Sequence, residues 1–191
     1  FNIIMMQLVG EHGVAAITIL LYGQFLFNAF YLGFTIGISP IVGFQYGAGD
    51  KQKLRNIYHT SFLFVAVSSV FMAVIAIVLS PTIVTIFTDD PATYELAAAG
   101  FRLFAINFLF SGISITSSGF FTALSNGTIS AVISFCRTLG FIVLSLLILP
   151  KFLGITGAWI AIPVAEFCTL LVTGVMHFVY FWKPGIRNYL R

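Results

Sequence analysis

Phe44-Gln45-Tyr46-Gly47-Ala48-Gly49-Asp50-Lys51-Gln52-Lys53 is the polar stretch that separates two long runs without charge. Upstream, residues 12–49 contain no Asp, Glu, Lys or Arg, and downstream residues 56–88 contain none either. A helix crosses the hydrocarbon core of a bilayer in about 20 apolar residues. Each run is long enough to cross, so the stretch 44–53 reads as a surface turn between two spanning helices. The chain is read as an integral membrane protein with an all-α fold.

Composition agrees. Of 191 residues, 59% are hydrophobic and 8% charged, whereas soluble domains carry about 25% charged residues. Phe is abundant, at 22 residues against 2 Trp, which suits lipid contact and helix packing. The net charge of +3 is small and its cations share no amphipathic face, so nucleic acid is excluded as a partner. Cys136 and Cys168 both fall in apolar segments and read as packed thiols without a disulfide framework. No cleavable signal pattern opens the chain. Phe1–Val9 is apolar but too short to span, and reads as the end of a helix whose beginning is missing, so the chain is expected to be a fragment.

Five full spans follow that stub, at 14–46, 56–87, 96–123, 128–149 and 155–182. The breaks between the later ones fall at Asp89-Asp90-Pro91, Ser125-Asn126-Gly127 and Pro150-Lys151 through Gly154. Pro40, with Gly37 one turn before it, predicts a bend in the first complete span. Lys51, Lys53 and Arg55 in the first turn and Lys183, Arg187 and Arg191 in the tail lie on one side of a five-span layout. Asp89, Asp90 and Glu95 lie on the other, with Lys151 as its loop cation. By the positive-inside rule the first turn and the C-terminus are expected in the cytoplasm.

Charged groups within the bilayer are costly and point to function. Arg137 and Glu166 fall near the middle of the fourth and fifth spans, each about 15 Å deep at 1.5 Å per residue. Antiparallel neighbours would bring them together as an intramembrane ion pair. Two readings fit the pair: a structural lock between helices, or a proton- or substrate-linked switch. Arg102 is shallower and reads as structural, reaching the outer interface or Glu95.

Two polar stripes repeat at helical spacing. Gln24, Asn28, Tyr31 and Thr35 form one, and Asn107, Ser111, Ser114, Ser118 and Thr122 the other. Such stripes turn away from lipid, either to pack helices or to line a substrate cavity. The bulky amides Gln24, Asn28 and Asn107 favour the cavity most. His12, His59 and His177 are scattered near span ends and read as interfacial, with no metal-ligand spacing. Phosphate-loop, zinc-protease and serine-hydrolase motifs are absent, so the sequence does not read as an enzyme, and no cofactor or metal is expected.

The segment from Gly37 to Asp50, followed by Lys53 and Arg55, resembles a helix junction in one lobe of the multidrug and toxic compound extrusion (MATE) family. In it, Gly47, Gly49, Asp50 and Arg55 form the cytoplasmic hinge motif. Phe87-Thr88-Asp89-Asp90, Ala123-Leu124-Ser125-Asn126-Gly127, Arg137, Pro150 and Gly154-Ile155-Thr156-Gly157-Ala158-Trp159 follow the same pattern in order. The resemblance covers essentially the whole chain. It implies one six-helix lobe, over residues 1–191, of a two-lobe, twelve-helix transporter. The chain would be the C-terminal lobe with its first helix truncated, and its partner would be an N-terminal lobe absent from this chain. It further implies a multi-pass protein of the plasma membrane that exports organic cations or other amphipathic drugs or metabolites in exchange for sodium ions or protons, by alternating access. Gln24, Asn28, Tyr31, Thr35, Asn107, Ser111 and Ser114 would line the substrate cavity. One departure stands out: 103–124 contains no Asp or Glu, where some family members carry a coupling carboxylate. A lipid-linked oligosaccharide flippase of the same superfamily and a non-transporting membrane scaffold subunit are the rival readings.

Overall fold

The computed structural model describes residues 1–182, and side chains as far as Tyr180; the basic tail at Lys183, Arg187 and Arg191 lies outside the described residues. All the regular structure in this part is helical. A short α1 (Asn2–Val9) ends at Gly10, whose φ of 78° breaks the run before α2 (Glu11–Gly47). Helices α3 (Lys51–Phe87), α4 (Pro91–Phe104), α5 (Phe108–Ala123), α6 (Gly127–Phe135) and α7 (Phe141–Trp182) follow. A single 3₁₀ turn, Ala105–Asn107, joins α4 to α5, and a π-helical turn, Cys136–Gly140, joins α6 to α7.

The ends of these helices are written locally. Asp50 caps α3 by accepting from the Lys53 amide at 3.0 Å, and Asp90 caps α4 from the Thr93 amide at 2.9 Å, with Pro91 in the first turn. Asn126 caps α6 from the Ile129 amide at 3.2 Å. Each cap satisfies one of the amides that a helix start leaves unbonded, and Pro91 gives up no hydrogen bond there.

Four helical stretches are long and apolar enough to cross a membrane: Glu11–Gly47, Lys51–Phe87, Pro91–Ala123 and Gly127–Tyr180. At 37 residues, α2 and α3 are each about 55 Å long. That exceeds a hydrocarbon core of about 30 Å, so their ends reach into the headgroups or the helices tilt. Helix α2 runs without interruption through Pro40. Pro40 lacks the amide that would bond the Ile36 carbonyl, and it lies with Gly37 on an exposed face. The fourth stretch is not one rod. Gly154 departs from helical geometry at φ 55°, ψ −133°, and the chain turns back there. Arg137 and Glu166 are 29 positions apart, about 43 Å along a straight helix, yet their side chains meet at 2.9 Å.

The third stretch is the central one: 50% of its apolar window is buried, against 11–28% for the other three. Phe101, Phe104 and Phe108 are fully buried against Ile17, Leu20 and Trp159. A second cluster joins Phe120, Phe121 and Leu124 to Val42, Leu54 and Ile133. Close approach depends on small residues. A Cβ at Gly100 would sit 2.8 Å from the Trp159 ring, and one at Gly112 would sit 2.5 Å from that of Tyr31. The outer surface is apolar, with Phe25, Leu63, Ile86 and Phe152 each more than two-thirds exposed. Ser111, Thr116 and Ser117 are fully buried. Large apolar side chains on the surface, with hydroxyls buried among an apolar interior, fit a lipid solvent.

Candidate functional site

On α2, Gln24, Asn28 and Leu32 recur every four residues, so they share a face. Opposite them stand Ile115 of α5, Arg137 and Thr138 of the π-helical turn, Ile142, and Glu166 of the returning arm of α7. Together these residues enclose a cavity of about 340 Å³. A second cavity of about 220 Å³ shares Leu32, Ile115, Arg137 and Thr138, and adds Thr35, Ser114, Ser118 and Ser134. Arg137 therefore borders both.

Arg137 Nε donates to Glu166 Oε1 at 2.9 Å and to Oε2 at 3.3 Å. The Glu166 side chain is 2% exposed and that of Arg137 17%, so the carboxylate is enclosed while the guanidinium keeps an opening. The π turn carries Arg137. Its wider i→i+5 winding displaces the side chain from the position an α-helix would give it, a distortion often found at functional sites. No hydrogen bond to the terminal amino groups of Arg137 occurs among the described residues. The same holds for Gln24, and Asn28 Oδ1 is buried without a partner.

The remaining stripe residues are placed differently. Tyr31, Asn107 and Ser111 are fully buried and border neither cavity. Tyr31 donates to the Phe108 carbonyl at 3.4 Å, and Asn107 Nδ2 to the Phe104 carbonyl at 2.6 Å. These three lie in the packing between α2, the 3₁₀ turn and α5, because that part of the third stretch is covered on more sides than its period alone reveals. Thr35 and Ser114 do border the second cavity; Thr35 also donates to Thr116 at 3.3 Å. Ser118 Oγ meets Ser130 Oγ at 2.9 Å and Ser134 Oγ at 2.8 Å, and Thr122 donates to Ser130 at 2.7 Å. This hydroxyl seam between α5 and α6 is absent from the sequence reading, although Ser130 and Ser134 stand one helical turn apart.

His177 corrects the interfacial reading. Its Nδ1 lies 3.2 Å from the Tyr58 hydroxyl and its Nε2 3.0 Å from Ser117 Oγ, so it ties α7 to α3 and α5. His12 lies 2.9 Å from Asp90 Oδ2 and 3.1 Å from Thr93 Oγ1, which joins the starts of α2 and α4. Donation from the Thr93 hydroxyl and amide, and then the nearby His12, hold the Asp90 carboxyl below its ordinary range. In the hinge motif Gly49 adopts φ 70°, and Asp50 is likewise lowered, chiefly by the Lys53 amide. Gly47 has open space around it and Arg55 is half-buried. Arg102 is exposed, and no ion pair joins it to Glu95 among the described residues. Nor do three His, Cys, Asp or Glu side chains gather into a metal site there.

An apolar helical bundle with a cavity and a buried ion pair between its helices defines a multi-span membrane protein. The chain belongs to the MatE family, whose model matches residues 1–147. It is 28% identical over 143 residues to human (Homo sapiens) multidrug and toxin extrusion protein 1, and 24% identical over 141 residues to the Mus musculus protein of that name. The human match covers 72% of this chain and 24% of the relative, so the chain spans about a quarter of that relative's length. Among solved structures, an outward-facing multidrug resistance MATE family transporter of the MOP superfamily superposes with a TM-score of 0.86 at 20% identity, over 93% of this chain and 40% of that one. The Vibrio cholerae MATE transporter VcmN in its bent form gives 0.85 at 18%, over 97% and 41%.

Proposed function

We propose that this chain is one lobe, the C-terminal one, of a plasma-membrane secondary antiporter that exports organic cations or other amphipathic compounds by alternating access. Members of the family are transporters rather than enzymes, and the relatives named above are extrusion proteins. The reversal at Gly154 divides the fourth apolar stretch into two crossings, for five complete spans after α1. An N-terminal lobe supplies the rest, in keeping with the chain's coverage of its relatives. Sodium ions or protons drive the exchange, and the first turn and the C-terminus face the cytoplasm.

The observation that carries this reading is the cavity between α2, α5, the π turn and α7, where Gln24, Asn28 and Arg137 present polar groups to a space walled by apolar side chains. Ligand sites are concave and mostly apolar, with a few converging polar groups, and secondary transporters place them near the bilayer midplane between helices. The test is efflux of a lipophilic cation dye from cells expressing the whole natural protein. Gln24→Leu and Asn28→Leu should reach the membrane at wild-type levels yet lose most of the efflux. Wild-type efflux from both variants would defeat the proposal that this cavity carries the solute, and no efflux above that of cells lacking the protein would favour a scaffold subunit.

A further inference from the structure

We infer that Arg137 is a recognition group for the carboxylate of an amphipathic solute, which docks on the edge of the guanidinium that Glu166 leaves open. The inference rests on the transport reading above and, among the amphipathic compounds that reading admits, names acids as the class this cavity takes.

A guanidinium offers five N–H donors in a plane. Glu166 engages Nε alone, with both of its oxygens, at 2.9 and 3.3 Å. The two terminal amino groups carry the other four N–H, and no acceptor among the described residues meets them. The Arg137 side chain keeps 17% of its surface open and lines the cavity, so this edge can take an acceptor from a solute. The end of a guanidinium presents two parallel N–H groups that match the two oxygens of a carboxylate.

Charge sets the sign of the preference. Among the described residues the one carboxylate on the cavity is Glu166, which is 2% exposed and turned onto Nε. A cation entering the cavity therefore meets the open positive edge of Arg137 without an uncommitted anion. A carboxylate meets the same edge favourably. Gln24, one turn from Asn28, adds amide N–H donors on the same cavity. Leu21, Phe25 and Ile142 are apolar walls for its hydrocarbon part. At about 340 Å³ the space suits a bicyclic aromatic acid.

The experiment uses the whole natural protein in lipid nanodiscs and two probes that share a naphthalene body, naphthaleneacetate and naphthalene-ethylammonium. Equilibrium binding of each is measured for the wild type, for Arg137→Lys, and for the pair-neutralising double variant Arg137→Gln with Glu166→Gln. Wild-type protein should prefer the acid by about 10- to 100-fold, as expected for a bidentate charge-assisted contact. The double variant should bring that ratio to about one, and Arg137→Lys should fall between, since it keeps the charge and loses the fork. Arg137→Lys leaves the ion pair in place and so keeps the test open if the double variant misfolds. Equal affinity of the wild type for both probes, or a preference unchanged in either variant, overturns the inference. Efflux of the lipophilic cation dye is read in parallel. Persistent dye efflux without acid preference sinks only the carboxylate subsite, whereas loss of both sinks the transport reading as well.

Discussion

Removing either member of the Arg137–Glu166 pair should damage the protein more than removing both. Two unit charges about 4 Å apart attract by about 4 kcal/mol at an effective dielectric of about 20, which offsets a desolvation cost of several kcal/mol per ion. With the Glu166 side chain 2% exposed and that of Arg137 17%, a single removal strands a charge in a site built for a neutral pair. The expected cost is about 3–5 kcal/mol for each single variant. Neutralising both leaves two amides that can bond each other across the same gap, at a cost of about 1–2 kcal/mol. The coupling in a double-mutant cycle of Arg137→Gln and Glu166→Gln is thus several kcal/mol, well above the roughly 0.5 kcal/mol within which independent sites add.

The two singles should also differ from each other. A stranded carboxyl can take up a proton and shed its charge, whereas a guanidinium cannot. Glu166→Gln should therefore be the more harmful single change, softened only by the water that reaches the open edge of Arg137. The assay is the temperature dependence of the monodisperse peak of the whole protein in detergent, with membrane expression as a second readout. Additive single effects, or a double variant no better than the worse single, would refute the reasoning, because each residue would then act on its own.

Two further outcomes follow from local geometry. A Cβ at Gly157 meets the backbone carbonyl of Leu149, whereas one at Gly37 meets nothing within 4 Å. Gly157→Ala should cost about 1–3 kcal/mol from forced backbone shifts, while Gly37→Ala should be neutral or slightly stabilising; equal melting of the two variants would contradict this. The lowered carboxyl of Asp90 makes the stabilising contribution of the α4 cap complete at neutral pH. That contribution is lost as pH falls from the unfolded value of about 3.9 through the lower folded one. The stability gap between wild type and Asp90→Ala should therefore narrow as pH falls through that window, and a gap that widens on acidification contradicts the reasoning.

Much of the architecture could be read from the chain because the bilayer imposes a length rule. The charge-free runs 12–49 and 56–88 admit few alternatives to spanning helices, and Asp50, Asp90-Pro91 and Asn126 mark helix starts by their own chemistry. Depth matching placed Arg137 and Glu166 at the same level, and their side chains are 2.9 Å apart. Other features left no such trace. Nothing in Cys136–Gly140 distinguishes an i→i+5 turn from an ordinary one. The stripe that runs from the 3₁₀ turn along α5 has a single period, yet Asn107 and Ser111 face packed neighbours while Ser114 borders a cavity. Periodicity assigns residues to a face; which neighbour covers that face is a tertiary property.

Hydroxyls and amides divide along a physical line. A Ser or Thr in a helix can bond the carbonyl of the turn before it. Thr18, Ser39, Thr122, Thr138 and Thr169 all do so at 2.7–3.0 Å. A buried hydroxyl among spanning helices is therefore cheap and says little about a solute. Amide and guanidinium groups carry more donors and acceptors than their own helix can satisfy. Asn107 shows the limit: Nδ2 finds the Phe104 carbonyl while Oδ1 stays unbonded. Gln24, Asn28 and the outer edge of Arg137 lack partners among the described residues, and all three border one cavity. Unmet hydrogen bonds alone do not mark a site, since Ser69, Asn107, Ser111 and Thr173 also hold buried unpartnered atoms away from this cavity; what singles it out is that two amides and a guanidinium converge on one space between apolar helices.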